Sequence, residues 1–216
     1  MQLVLPGTTS LGLFVAAALT LLIIPGPAVL YIVSRSVEQG RLAGFVSDLG
    51  IHTATLVHVL AASLGLSALL MSSALAFALV KYLGAAYLVW LGLRKLFGSN
   101  GAPDDAPMSP RLSRLRLFRD GFIVNLLNPK TALFFFAFLP QFVEVSRGQV
   151  AMQIALLGLL FAGLGLITDG CYAVAAGTAG HWFKQNRAYL RFERYVSGTL
   201  LVGLGVTAAF AGQGRK

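Results

Sequence analysis

The chain has 216 residues, of which 56% are hydrophobic and only 12% are charged. A soluble domain carries about 25% charged residues, so this composition predicts an integral membrane protein and excludes a water-soluble domain. The apolar runs are continuous, which favours membrane-spanning helices. The formal net charge of +9 would suit a nucleic-acid partner, but the positions of the charges between the apolar runs argue against one.

The apolar runs predict an all-α integral membrane protein with six membrane-spanning helices, because about 20 apolar residues cross a bilayer. The predicted spans cover residues 11–33, 42–70, 74–96, 118–142, 150–176 and 195–210. The sixth run is the shortest, and whether it crosses the membrane fully stays open. The first ten residues contain no Lys or Arg, so the first run is predicted to be a retained span rather than a cleaved signal.

The first span contains Pro25, Gly26 and Pro27. Proline has no N–H to donate and its ring clashes with the preceding turn, so this segment predicts a break in the helix. A break exposes backbone groups that lipid cannot satisfy, and it is tolerated where protein or a watery cavity surrounds it. A packed kink without a binding role is the competing interpretation, since Pro and Gly are common in membrane helices.

The basic residues predict the orientation of the chain. Twelve of the 17 Lys and Arg residues fall in the first, third and fifth connections, and three fall in the fourth connection and at the C-terminus. Lys and Arg accumulate on the cytoplasmic side, so those three connections are predicted to be cytoplasmic and both termini periplasmic. The same residues can face anionic lipid headgroups, which accounts for the net charge without nucleic acid.

Residues 98–117 form the long linker of the chain, rich in Gly, Pro, Ser and Asn. The linker separates residues 1–97 from residues 118–216, with three predicted spans in each half, so the halves enter the membrane in opposite orientations. Residues 25–31 can be aligned with residues 128–134, because each segment places a proline before an apolar run. Inverted repeats with broken helices in the first and fourth spans predict a transporter with a central site.

Polar residues inside the spans mark candidate functional positions, because burying them in the membrane is costly. Asp48 and His52 are four residues apart in the second span and therefore share a helix face. The candidates on the other spans are Asn125, Asn128, Pro129, Lys130 and Asp169. With the predicted orientation, all of them and the break at Pro25–Pro27 lie in the cytoplasmic half of the bilayer, which favours one shared cavity.

Three other polar residues are predicted to have structural roles, without a part in substrate binding. Lys81 lies near the outer end of the third span and is expected to extend to the interface. Asp120 is next to Arg119 and is expected to form a local ion pair, and His58 is expected to pack or make a satisfied hydrogen bond.

Several glycines lie within or beside the spans. Gly40 and Gly44 are four residues apart, and Gly163 and Gly165 lie in the middle of the fifth span. Small residues let membrane helices approach closely, so these glycines are predicted to lie at helix contacts.

Taken together, these motifs resemble the LysE/RhtB family of bacterial amino-acid exporters. The resemblance rests on Pro25-Gly26-Pro27, Gly40-x-x-x-Gly44, Gly121-Phe122, Asn125-x-x-Asn128-Pro129-Lys130, Phe134-Phe135-Phe136 and Pro140-Gln141-Phe142. It covers nearly the whole chain and implies an exporter of amino acids or related metabolites in the bacterial inner membrane, driven by an ion gradient. The particular amino acid is not implied.

An exporter of a small zwitterion needs one site for a carboxylate and another for an ammonium group. The broken helices at Pro25, Gly26 and Pro27 and at Asn125, Asn128 and Pro129, with Lys130 beside them, could bind the carboxylate through free N–H groups. Asp169 is predicted to hold the ammonium group, and Asp48 with His52 to carry the coupling ion. The expected partners are an amino acid or similar zwitterion, H⁺ or Na⁺, and lipid, without a cofactor or a metal; a homodimer stays open.

Two alternatives remain. A channel or a structural membrane partner would use the same spans without coupling to a gradient. A membrane-embedded enzyme would need an aspartyl dyad or a zinc site, but Gly-x-Gly-Asp and His-Glu-x-x-His motifs are both absent from the sequence. The sequence also lacks a Walker A loop, so ATP hydrolysis is not expected.

Overall fold

The computed structural model describes residues 7–66 and 111–185 continuously, with isolated positions between residues 79 and 97 and between residues 195 and 206. No strand occurs among these described residues, so the all-α prediction is confirmed for this part of the chain. The α-helices are α1 (Thr8–Ile23), α2 (Pro27–Gln39), α3 (Arg41–Ala61), α4 (Arg114–Leu126), α5 (Pro129–Leu133) and α6 (Val150–Gln185).

The first predicted helix break is present. Helix α1 ends at Ile23 and α2 begins at Pro27, and the two axes are bent by 50°. Pro27 occupies the first position of α2, where the missing N–H costs nothing because that position has no intrahelical acceptor. The break itself therefore covers residues 24–26, and Pro27 starts the second helix instead of lying inside the break.

The second predicted break is also present. Helix α4 ends at Leu126 and α5 begins at Pro129, and the segment Pro129–Phe142 is bent by 48° from the axis of α4. Asn128 is extended, as expected of a residue before a proline, and its side chain caps α5. The chain continues from α5 through a π-helical turn, Phe134–Phe138, and a 3₁₀ turn, Leu139–Phe142.

Two further helices have the length and composition to cross a bilayer. One runs through α3 and a following π-helical turn, with a spanning segment of 25 residues, Arg41–Gly65. The other is α6, which has 36 residues and extends beyond the predicted end at residue 176. If each bent pair is one span, the described residues contain up to four spans, which makes this a multi-pass membrane protein.

Several predicted features fall where the structure describes few residues or none. The third and sixth predicted spans, 74–96 and 195–210, lie largely outside the described residues. Lys81 and residues 98–110 of the linker also lie outside them.

Helices α3 and α4 touch through their backbones. A Cβ atom at Gly50 would collide with the carbonyl oxygen of Phe118, and one at Gly121 would collide with the carbonyl oxygen of Ser47. Glycine at these two positions therefore lets the helices approach without side chains between them, as small residues do in membranes. The close approach of the two backbones brings Asn125 of α4 within hydrogen-bonding distance of α3.

The close-contact prediction holds for some of the glycines. Gly44 lies against Ser36 and Ala173, and Gly165 lies against the ring of His52. Among the residues that the structure describes, the prediction was wrong for Gly40 and Gly163, because a Cβ atom at either residue would have none of them within 4 Å. Gly40 instead has a φ of +86° and forms the turn between α2 and α3, a conformation that favours glycine.

An aromatic cluster joins α1, the π-helical turn and α6. The rings of Phe134 and Phe161 stack with centroids 4.1 Å apart, and Phe14 and Phe135 pack against the Phe134 ring. Large apolar side chains are exposed on the outer helix faces, where lipid would cover them: Leu13, Leu49, Leu60, Leu159 and Ile167.

Candidate functional site

A buried acidic cluster joins α3 to α6. Nε2 of His52 lies 3.1 Å from Oδ1 of Asp48 and 3.3 Å from Oδ2 of Asp169. Asp48 and Asp169 are 1% and 4% exposed, and His52 is 9% exposed. The spacing of four residues puts Asp48 and His52 on one face of α3, and Gly165, one turn before Asp169, leaves room for the imidazole ring.

The cluster is not satisfied by aligned hydrogen bonds. The short contacts of His52 lie within ion-pair distance, yet both of its ring nitrogens and one carboxylate oxygen of each aspartate lack a well-oriented partner in the described part of the chain. Buried polar atoms in proteins are nearly always hydrogen-bonded, so exceptions call for a functional explanation. The three side chains also lie close enough, within 4.8 Å, for their ligand atoms to surround a cation.

Lys130 connects the two helix breaks. It lies in the first turn of α5, yet its ammonium group donates a hydrogen bond to the carbonyl oxygen of Ile24 in the first break. The aliphatic stem passes over Gly26, where a Cβ atom would lie 3.1 Å from Cδ of Lys130. The Lys130 ammonium group therefore lies at the negative C-terminal end of α1, although its own backbone is at the positive N-terminal end of α5.

Tyr172 of α6 is a second donor at the same helix end. Its hydroxyl group donates a 2.7 Å hydrogen bond to the carbonyl oxygen of Ile23. The last carbonyls of a helix have no intrahelical partner, so Lys130 and Tyr172 satisfy groups that the break leaves open. Sequence reasoning missed Tyr172, although its position three residues after Asp169 places it on the same side of α6.

The first turn of α2 keeps open N–H groups. The first bond of this helix runs from the Leu30 N–H to the Gly26 carbonyl, which leaves the N–H groups of Ala28 and Val29 without an intrahelical acceptor. Within residues 7–66 and 111–185, no side chain caps this end of α2. By contrast, α5 is capped by its own Asn128, whose Oδ1 accepts from the Lys130 N–H at 3.1 Å. The first break is therefore the more open of the two toward an anion.

Asn125 is the centre of a hydrogen-bond network between α3, α4 and α5. Its Nδ2 donates to the Ile51 carbonyl at 2.8 Å and to Oγ1 of Thr55 at 2.9 Å. Its Oδ1 accepts from Oγ1 of Thr131 at 2.8 Å and from Nδ2 of Asn128 at 3.3 Å. The amide has two donor hydrogens and two acceptor lone pairs, so all four are used.

These elements surround a cavity of about 40 Å³. The predicted site residues that line it are Gly26, His52, Asn125, Asn128, Lys130 and Asp169. Pro25, Pro27 and Pro129 form the breaks without lining the cavity, and Asp48 contacts it through His52. The volume holds about three water molecules, which is less than the volume of an amino acid.

The structural roles predicted for His58 and Asp120 are confirmed. Nε2 of His58 lies 3.2 Å from the Asn125 carbonyl, and the His58 ring stacks on Phe135 with centroids 5.9 Å apart. Asp120 accepts hydrogen bonds from Arg119 at 3.0 and 3.1 Å.

Broken helices that meet at a buried charged cavity are typical of secondary transporters. The model of the LysE type translocator family matches residues 19–212. The chain therefore belongs to the LysE type translocators, as the sequence motifs had indicated.

Three relatives illustrate the similarity. The chain is 33% identical to a homoserine/homoserine lactone efflux protein of Salmonella typhimurium over 160 residues, or 74% of this chain and 77% of the relative. It is 29% identical to an uncharacterised membrane protein of Vibrio cholerae, covering 92% and 95% of the two chains. It is 28% identical to a membrane protein of Bacillus subtilis, covering 91% and 97%. No solved structure matches the chain.

Proposed function

We propose that the protein is a secondary-active exporter of small amino acids or related zwitterions, driven by an ion gradient with the proton as the coupling ion. The observation that carries this proposal is the pairing of opposite charges around one cavity. Lys130 and the open N–H end of α2 lie on one side, and His52 and Asp169 line another part of the wall. A zwitterion carries the complementary pair of charges.

The carboxylate of the substrate would bind at the first break. The N–H groups of Ala28 and Val29 and the positive end of α2 suit an anion, and the Lys130 ammonium group is close to Gly26. Gly26 would let the carboxylate approach the backbone. The second break would act indirectly, because Asn128 and Pro129 fix the start of α5 and therefore the position of Lys130.

The acidic cluster would bind the ammonium group and the coupling proton. Asp169 lines the cavity and would contact the substrate, whereas Asp48 is reached through His52 and would exchange the proton. Asn125 would shape the cavity wall, since its amide is fully used by the protein.

The full architecture would be six spans in two inverted repeats, residues 1–97 and 118–216. The similar bends of 50° and 48° in the first span of each half support this arrangement. The distribution of Lys and Arg supports periplasmic termini, a cytoplasmic linker and insertion in a bacterial inner membrane. Cysteines at Ser99 and Gln213 test the orientation: an impermeant thiol reagent added to intact cells should label residue 213 and leave residue 99 unlabelled.

The relative named as a homoserine/homoserine lactone efflux protein supports a substrate of amino-acid size. The direct test is to overproduce the chain in bacteria, load the cells with dipeptides or amino acids, including homoserine, and measure the amino acids in the medium. An exporter should raise one or a few of them above the level of cells that produce the Asp169→Asn variant.

The same assay in proteoliposomes separates an exporter from a channel and from an enzyme. Flux through an exporter should follow an imposed pH gradient, and flux through a channel should follow the substrate gradient alone. An enzyme should produce no flux and should change the substrate chemically. A Na⁺ gradient that drives transport at constant pH would replace the proton as the coupling ion.

A further inference from the structure

We propose that Lys130 is an exchangeable latch on the first helix break. It holds the C-terminal end of α1 through the Ile24 carbonyl, and a substrate carboxylate draws it away and frees α1 to move relative to α2. This inference rests on the proposed function, because it requires a substrate that carries a carboxylate.

The break is held by two donors from different parts of the chain. Tyr172 of α6 donates to the Ile23 carbonyl, and Lys130 of α5 donates to the Ile24 carbonyl. Without Lys130 the Ile24 carbonyl would be buried without this donor, and without Tyr172 the Ile23 carbonyl would face lipid, which is costly in either case. The two hydrogen bonds therefore fix α1 against both α5 and α6.

The two donors differ in their access to substrate. Lys130 lines the cavity, whereas Tyr172 is not among the lining residues. The Lys130 ammonium group lies close to Gly26, directly before the open N–H groups of α2. A carboxylate bound at those groups would be an alternative acceptor beside Lys130, and a charged acceptor forms a hydrogen bond roughly twice as strong as a neutral one.

Release of Lys130 would allow the small cavity to widen. The space of about 40 Å³ is too small for an amino acid, and part of its wall is formed by Leu21 and Leu22 at the end of α1 and by Gly26 in the first break. Movement of α1 at the break would widen this wall. A carboxylate that releases Lys130 thus couples its own binding to the opening of the site.

Homoserine and homoserine lactone form a matched pair of probes. Both carry the amino group and the same carbon chain, but the carboxyl group of the lactone is tied into a ring ester and has no negative charge. The latch predicts that homoserine releases Lys130 and that the lactone does not.

The movement can be measured with spin labels in the full-length protein in nanodiscs. Spin labels are placed at Leu13 of α1 and Leu56 of α3, both exposed on the outer surface, in a Cys171→Ser background. The distance between them, measured by pulsed electron–electron double resonance, reports the position of α1. Homoserine should shift the distance distribution and the lactone should leave it unchanged. Lys130→Met should give the shifted distribution without any ligand.

Two further variants distinguish the latch from general loosening. Tyr172→Phe removes the hydrogen bond to the Ile23 carbonyl, which the substrate does not affect. The distance distribution without ligand should therefore shift, and homoserine should shift it further. Tyr31→Phe is the matched control, because its hydroxyl group also donates to a carbonyl, that of Leu117 at 3.3 Å, but away from the break. This control should behave like the parent protein.

Transport rates give a second readout in proteoliposomes. Lys130→Met should raise the KM for homoserine about tenfold or more, since a hydrogen bond to a charged group is lost. The same variant should raise kcat for the lactone, because that substrate no longer has to work against the latch. A residue that only binds carboxylate would leave lactone transport unchanged.

The outcomes separate the latch from the proposed function. A homoserine shift in the parent protein together with an unshifted ligand-free Lys130→Met variant would overturn the latch and leave the exporter proposal standing. A shifted Lys130→Met variant with no response of the parent protein to homoserine would overturn homoserine as the substrate and support the hold of Lys130 on the break.

Discussion

Replacing Asn125 with alanine should destabilise the protein even in the absence of substrate. The amide makes four side-chain hydrogen bonds, and Asn125 is 2% exposed. Side-chain hydrogen bonds between membrane helices contribute about 0.6 kcal/mol each, so losing all four should lower the free energy of unfolding by about 2–3 kcal/mol. Part of this loss comes from the Thr55 and Thr131 hydroxyl groups, which are left buried without the amide.

The free energy of unfolding can be measured by reversible SDS titration in mixed micelles, without ligand. Thr131→Val is the matched control, because it removes one of the four bonds at nearly constant volume and should cost about 0.6 kcal/mol. An Asn125→Ala variant as stable as the parent protein but unable to export would refute this reasoning. Asn125 would then contact substrate directly, as one reading of the sequence motif allows.

Three further predictions address packing and transport. Gly44→Leu should lower the yield of folded protein, because a side chain there collides with Ser36 and Ala173, whereas Gly163→Leu, which would meet no described residue within 4 Å, should fold normally by gel filtration. Asp48→Asn should abolish gradient-driven export in proteoliposomes while substrate exchange between the two sides continues. If this variant still concentrates substrate against its gradient, Asp48 does not exchange the coupling proton. Asp169→Asn should instead weaken substrate binding by about tenfold or more in equilibrium dialysis, and an unchanged affinity would count against its assignment.

The helix breaks could be predicted from the sequence, and their partners could not. A proline fixes its own backbone angle and removes a donor, so Pro25 and Pro129 mark the breaks without tertiary information. The donors that satisfy the freed carbonyls come from α5 and α6, more than a hundred residues away. Only folding brings them there, and neither residue type nor spacing identifies Tyr172 in advance.

The acidic cluster was partly predictable for a similar reason. Asp48 and His52 lie on one helix, so their spacing alone implied their contact, which the structure has at 3.1 Å. Asp169 could be assigned only to a similar membrane depth, and its 3.3 Å contact with His52 depends on how α3 and α6 pack. Glycines carried less information, since Gly40 serves a turn and Gly44 serves a helix contact within the same motif.

In the proposed mechanism, one cavity binds both charges of an amino acid, and the protein moves the amino acid at the expense of a proton gradient. Accumulation of radiolabelled homoserine in proteoliposomes with an imposed pH gradient tests this mechanism. We expect that the parent protein concentrates homoserine above the external level and that a protonophore abolishes this accumulation. Uptake that only equilibrates across the membrane, with or without the gradient, would contradict it.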